Sequence, residues 1–266
     1  MRTPSHYKIR PPHEGEAPAA AALVVGAYLR AVRHARRLTG SDAAWAIRCS
    51  AAKVSRLETG SLHRMADATG LLDLYGIDDL PSLTAVEHLL REPRRHSLFD
   101  PAPGWLDRLH ACQQQADTMV IYSAFAVPDI ARISTYPAEA QTQWPRDDTP
   151  IRVRPRASLT AENGGGVTLL LDQMVLERPP SRPSVAPAQY SHLRQLASSA
   201  RGPQILVVPL EAQVIPRASH MYGMTLHGHD LVVEQHHGYL HYYTGEEAAQ
   251  RRHFLQAAQA AGVHFP

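Results

Sequence analysis

From residue 22 onward, apolar residues recur at helical spacing. Val25, Leu29 and Val32 fall four and three apart, one face of a helix. Thr39 then opens the run TGSD. With Asp42 at the third helical position this predicts a reciprocal cap at the start of a second helix, whose inner face is Ala43, Ala44 and Ile47. Ser50 is an N-cap candidate for a third helix, with Val54 and Leu57 pointing inward and Gly60 as its stop. A fourth helix is expected over Met65 to Tyr75, closed by Gly76, and a fifth from near Ser82 into the REPRR segment. The first part of the chain therefore reads as a five-helix, all-α unit.

The pattern changes near His96. Trp105 to Tyr122 starts with helical character and becomes strand-like around Met119 to Phe125. Pro137 to Pro155 reads as a long loop. VTLLLDQMVL (Val167 to Leu176) is a buried strand running into a helix or turn, Tyr190 to Ala200 a helix, and QILVVPL (Gln204 to Leu210) another strand. Gly223 to Tyr243 holds three short strands separated by turn signals, and Glu246 to Ala261 a last helix. Intermixed strands and helices make this part α/β or α+β. The expected division is a flexible, proline-rich tail over residues 1–20, a helix-turn-helix domain over 21–95 and a second domain over 96–266.

The net charge of +2 over 266 residues points to no particular partner. Its distribution does. Residues 21–64 carry eight basic side chains against two acidic ones, whereas residues 96–266 are slightly acidic. A compact basic module favours a polyanion. The two cysteines, Cys49 and Cys112, form no CxxC pair, which fits a reducing, cytoplasmic compartment. The apolar run Ala17 to Leu29 is too short to span a bilayer, and Glu14 and Glu16 precede it, so neither a membrane anchor nor a signal peptide is expected.

Two short helices with a tight turn, the second one basic, make a helix-turn-helix. If Val54 and Leu57 anchor the second helix, then Ala51, Ala52, Lys53, Ser55, Arg56 and Thr59 lie on or near its outer surface, where a helix fits the major groove. Residues 24–60 resemble the Cro/repressor-type helix-turn-helix of the xenobiotic-response-element family. KVSRLETG (Lys53 to Gly60) and LLDLYG (Leu71 to Gly76) are similar to an actinobacterial branch of it whose second half is the domain DUF5753. That half is echoed by VTLLLDQMVLERP, QILVVPL and DLVVEQHHGYLHYY.

The resemblance implies a transcriptional regulator that binds double-stranded DNA as a homodimer and carries no cofactor. It places Ala51, Ala52 and Arg56 where bases are read. Ser50, Lys53 and Ser55 fall where phosphates are held, Arg64 at a phosphate clamp, and Arg33 with Glu58 at a structural ion pair. The alanines can touch a thymine methyl but cannot make bidentate bonds, so Arg56, able to bind guanine O6 and N7, carries the direct readout. The turn position of Arg48 often holds glycine in relatives. YSAFAVPDIARIS (Tyr122 to Ser134) departs from the family's PGLLQT-like run, with Asp129, Ile130 and Ala131 in its place.

Sixteen histidines are present, and His220, His227, His229, His236, His237 and His241 crowd one region. Strand alternation puts His227 with His229 on one face and His237, Tyr239, His241 and Tyr243 on another. Without cysteines or an HExxH spacing, polar strand residues around a pocket are expected and no metal site. No GxSxG is present, and the triplet Gly164 to Gly166 lacks the lysine of a phosphate loop. The expected job of the second domain is to receive a small-molecule effector or a small partner protein, with Trp105, Tyr122, Glu234, His236 and Tyr239 as candidate ligand residues. The alternative is a regulator-derived enzyme whose pocket performs a cyclisation or isomerisation.

Overall fold

The structure, a computed structural model, describes residues 17–62, 64–91, 95–136, 153, 166–177 and 184–265. Five helices come first: α1 (Ala20–Ala35), α2 (Gly40–Ala46), α3 (Ala51–Glu58), α4 (Met65–Leu74) and α5 (Leu80–Leu89). The local signals explain their ends. Thr39 Oγ1 accepts from the Asp42 backbone N–H while the Asp42 carboxylate accepts from the Thr39 N–H at 2.7 Å, the expected capping box. Ser50 Oγ accepts from Lys53 N at 3.2 Å and starts α3. Asp79 caps α5 through Ser82 N, with Pro81 in the first turn, where a missing N–H costs nothing.

The rest is a mixed eight-stranded sheet with helices on it. β1 (Ser97–Asp100) is followed by α6 (Trp105–Gln115), which runs directly into β2 (Ala116–Ser123). Then come β3 (Val167–Asp172), α7 (Gln173–Glu177), α8 (Val185–Ser198) and β4 (Gln204–Val208). The meander β5 (His220–Leu226), β6 (His229–His236), β7 (Tyr239–Tyr243), the helix α9 (Gly245–Ala261) and β8 (Val263–His264) complete it. The strand order is β1-β7-β6-β5-β2-β3-β4-β8, with β2, β3 and β4 parallel and the other pairings antiparallel. The second part is therefore α+β. Its edge strands β1 and β8 carry no alternation long enough to be read from sequence.

Side-chain alternation divides the sheet's two faces between two cores. Ile121, Leu169, Met224 and Val233 face α6 and α8, while Tyr122, Leu170, Met221 and Val232 face α9. α1 joins the two parts of the molecule. The stripe expected from Val25, Leu29 and Val32 packs on the other N-terminal helices. Its opposite side, Ala20, Leu23, Val24 and Ala27, enters the same core as Trp105, Leu109 and Cys112. Thirteen of its sixteen residues are buried, as for a helix that is hydrophobic all round. Polar contacts fix it there: Gln115 Nε2 donates to Ala27 O at 2.7 Å, and Thr244 Oγ1 to Pro18 O at 2.8 Å. At the β1 edge, Arg108 on α6 makes two 2.7 Å bonds to Asp100, both side chains fully enclosed.

Pro18, within the expected tail, is buried, and residues 1–16 lie outside the described residues. So do residues 137–152, 154 and 155 of the expected long loop, and Gly164 and Gly165 of the triplet.

Candidate functional site

α2 and α3 are joined by Ile47 to Ser50. Arg48 takes φ 51°, the left-handed conformation that glycine adopts without penalty. Its N–H donates to Trp45 O and that of Cys49 to Ala44 O, closing the turn. Val54 and Leu57 are buried beneath α3, whereas Ser50, Ala51, Ala52, Ser55 and Arg56 are exposed along it. Arg64, the residue before α4, is exposed, as are Arg36, Arg37 and Arg48.

Lys53 lies differently. It is half-buried, and its Nζ pairs with Asp67 on α4 at 2.9 Å. A phosphate would have to compete with that carboxylate for it. Glu58 faces inward, where Arg33 Nε and Nη2 donate to its two oxygens at 2.7 and 2.8 Å. The bonds to Glu58 hold the Arg33 guanidinium's pKa above its ordinary value. α1 crosses this point at Gly26, where a Cβ would sit 2.6 Å from Leu57 O. The ion pair and this close approach set the angle at which α3 leaves the domain.

In the second part, three of the candidate ligand residues meet on the sheet face that α9 partly covers. Glu234 on β6 accepts from Tyr243 OH at 3.0 Å and from Arg251 Nε at 3.2 Å, and His236 Nε2 lies 3.5 Å away. Tyr239 stacks on His236 with ring centroids 4.8 Å apart and tilts against Phe99 at 4.9 Å. Arg251, from α9, stands over the Tyr243 ring, whose pKa is pushed up to about 12, mainly by burial. Tyr122 is on the same face but beneath α9. It donates to Asp172 at 2.7 Å and meets Phe254 edge-on. Trp105 lies in the core on the opposite face. The five residues therefore do not form one pocket.

Comparison with protein-family models is consistent with both halves. Residues 24–91 match a helix-turn-helix domain, and residues 106–264 match the domain of unknown function DUF5753. The chain belongs to the DUF5753 family. Neither a curated protein nor a solved structure shows a significant match to it. The helix-turn-helix match points to DNA binding of the regulator type.

Within the DUF5753 domain the histidines separate. Tyr239, His241 and Tyr243 share a face as expected, but His237 sits in the β6–β7 turn before Gly238 and does not join them. His227 likewise is not a strand residue beside His229. With Gly228 it forms the two-residue β5–β6 turn, both at positive φ, the geometry of a type I′ hairpin. Among the described residues no three of His, Cys, Asp and Glu converge as metal ligands, and no helix is long and apolar enough to cross a membrane. Two features escaped the sequence reading. Trp45, on α2, is 85% exposed, on the side of the helix away from Ala43 and Ala44. Arg251 joins Glu234 from α9; its only local signal is the i,i+4 partner Glu247.

Proposed function

We propose that this chain is a transcriptional regulator of the xenobiotic-response-element type. It binds double-stranded DNA as a homodimer through α3, and its DUF5753 domain receives a small-molecule effector or a small partner protein. The observation that carries this reading is the outward face of α3: Ala51, Ala52, Ser55 and Arg56 are exposed while Val54, Leu57 and Glu58 are held inside. Exposed Arg36, Arg37, Arg48 and Arg64 supply phosphate contacts, which position the protein without reading sequence. Two adjacent alanines leave little hydrogen bonding to bases, so DNA shape contributes the remaining specificity.

A second copy fits the outer side of α5. Leu80 is exposed there beside a groove of about 530 Å³ lined by Pro81, Thr84, Ala85, Ala102 and Pro103. Coupling to an effector has a physical route through α1, which is packed into both cores. A ligand that favours one seating of α1 shifts DNA affinity by its differential affinity for the two states.

Gel shifts of the full chain on its own upstream region test this. Binding is expected to weaken steeply between about 50 and 200 mM salt. Arg56→Ala relaxes preference at one base pair by about 1–3 kcal/mol. Lys53→Ala lowers stability by leaving Asp67 unpaired, and weakens binding to all sequences only as far as phosphate displaces Asp67 from the ammonium. If no fragment binds more tightly than random duplex at low salt, the regulator reading falls.

A further inference from the structure

Away from the α9 face, the carboxyl end of the parallel strand β2 carries a second group of enclosed polar side chains. Ser123 on β2 lies directly opposite His220 on β5, and His220 directly opposite Gln235 on β6. Alternation puts all three on the α6 side of the sheet, in one row across three strands. Tyr222, two residues along β5, donates to Gln235 Oε1 at 2.6 Å and stacks with His220. All four are buried. Three atoms of this row stand out. Ser123 Oγ, His220 Nδ1 and His220 Nε2 are fully enclosed and, among the described residues, have no hydrogen-bond partner. The Ala126 backbone lies close enough to the ring to offset part of the effect of burial on its pKa.

Buried polar atoms are nearly always paired, so three adjacent orphans mark a place where partners come from elsewhere. Their chemistry narrows what fits. Burial holds the His220 pKa at about 4, so its ring is neutral near pH 7 and offers one donor and one acceptor. The Ser123 hydroxyl offers one donor and accepts as well. The nearby cation, Arg132, is committed: it pairs with Asp129 and donates to Val127 O at 2.5 Å. The row therefore presents alternating donors and acceptors beside aromatic edges, with no uncompensated charge.

We propose that Ser123, His220 and the Tyr222–Gln235 pair form a binding site for a small uncharged molecule with an amide-type donor–acceptor edge, such as a lactam or a nitrogen heteroaromatic ring. This site is separate from the Glu234–His236–Tyr239 face and does not depend on the DNA reading.

The test uses the full chain with carbon-labelled histidine. The probe is 2-pyridone, and nicotinate is its charged counterpart. The His220 resonance is identified by its loss in His220→Gln. Titration with 2-pyridone is expected to shift that resonance saturably, with a dissociation constant of about 1 mM, as befits so small a probe. Ser123→Ala, which removes one donor–acceptor and little volume, is expected to weaken binding about tenfold. Nicotinate is expected to bind about tenfold more weakly, because its carboxylate would be desolvated without a free cation. The absence of a saturable shift, wild-type affinity in a folded Ser123→Ala protein, or equal affinity for nicotinate would each overturn the proposal. DNA binding measured on the same samples reports separately on the regulator reading.

Discussion

Replacing Glu58 probes how α3 is held. Its carboxylate receives both forks of Arg33 at 2.7 and 2.8 Å and is 1% exposed, while the arginine side chain is 10% exposed. Glu58→Ala leaves the guanidinium buried with only Leu38 O, at 2.9 Å, and His34 Nε2, at 3.1 Å, near it. Breaking one side of a buried pair costs about 3–5 kcal/mol. The slight exposure of Arg33 and its remaining carbonyl partner put this case at the lower end, about 3 kcal/mol. For a chain of this size that lowers Tm by roughly 6–12 °C. Glu58→Gln keeps the shape and one acceptor, so about half that loss is expected. The double replacement Arg33→Met with Glu58→Leu removes both charges and should lie within about 1 kcal/mol of the parent. Urea unfolding of these proteins and of the single variants Arg33→Met and Glu58→Leu, followed by circular dichroism, gives the coupling energy directly. A cost below about 0.5 kcal/mol for Glu58→Ala, or a double variant as damaged as the two single losses together, would refute the argument, since the pair would then behave like an exposed one.

Three further outcomes follow from burial and backbone geometry. Burial lowers the pKa of His220 to about 4 and also lowers those of His34, His110, His227 and His241. Between pH 6.5 and about 4 the unfolded chain holds a proton on His220 that the folded chain refuses, so stability falls as pH falls, by about 1 kcal/mol per pH unit for this ring. Urea midpoints at pH 7.5, 6 and 5 should show this, and an unchanged slope in His220→Gln would contradict it. Cys112 is fully enclosed, and burial pushes its thiol up to about 12. Cys49 is partly accessible, so a disulfide reagent should titrate one thiol in the native protein and two after unfolding. Arg48→Gly should raise stability by about 1 kcal/mol, because arginine at φ 51° carries a left-handed penalty that exceeds the added freedom of glycine in the unfolded chain. A lower urea midpoint in that variant would count against the strain.

What was legible in the sequence is what neighbouring residues decide among themselves. The Thr39 box, the Ser50 cap, the inward Val54 and Leu57 and the turn before α3 all rest on contacts within about one helical turn, so spacing alone specifies them. The β5–β6–β7 meander is legible for the same reason, since adjacent strands with two-residue turns pair with each other. The Arg33–Glu58 pair spans 25 positions, and only the resemblance to a known family pointed to it.

Partners far apart along the chain were decided by the tertiary structure. The second apolar side of α1 has no meaning until α6 packs against it. Lys53 points to solvent on a helical wheel and is drawn sideways only because α4 brings Asp67 within 2.9 Å. Trp105 and Tyr122 read alike as aromatic residues near strands, yet Trp105 lies on α6 against one face of the sheet while the pleat of β2 turns Tyr122 to the other. Ser123, His220 and Gln235 become neighbours only because β5 pairs with β2, a strand about a hundred residues earlier. Local sequence sets the elements and their caps. The choice of which strand edges and helix faces meet belongs to the whole chain, because burial is non-directional and only the completed packing selects one arrangement.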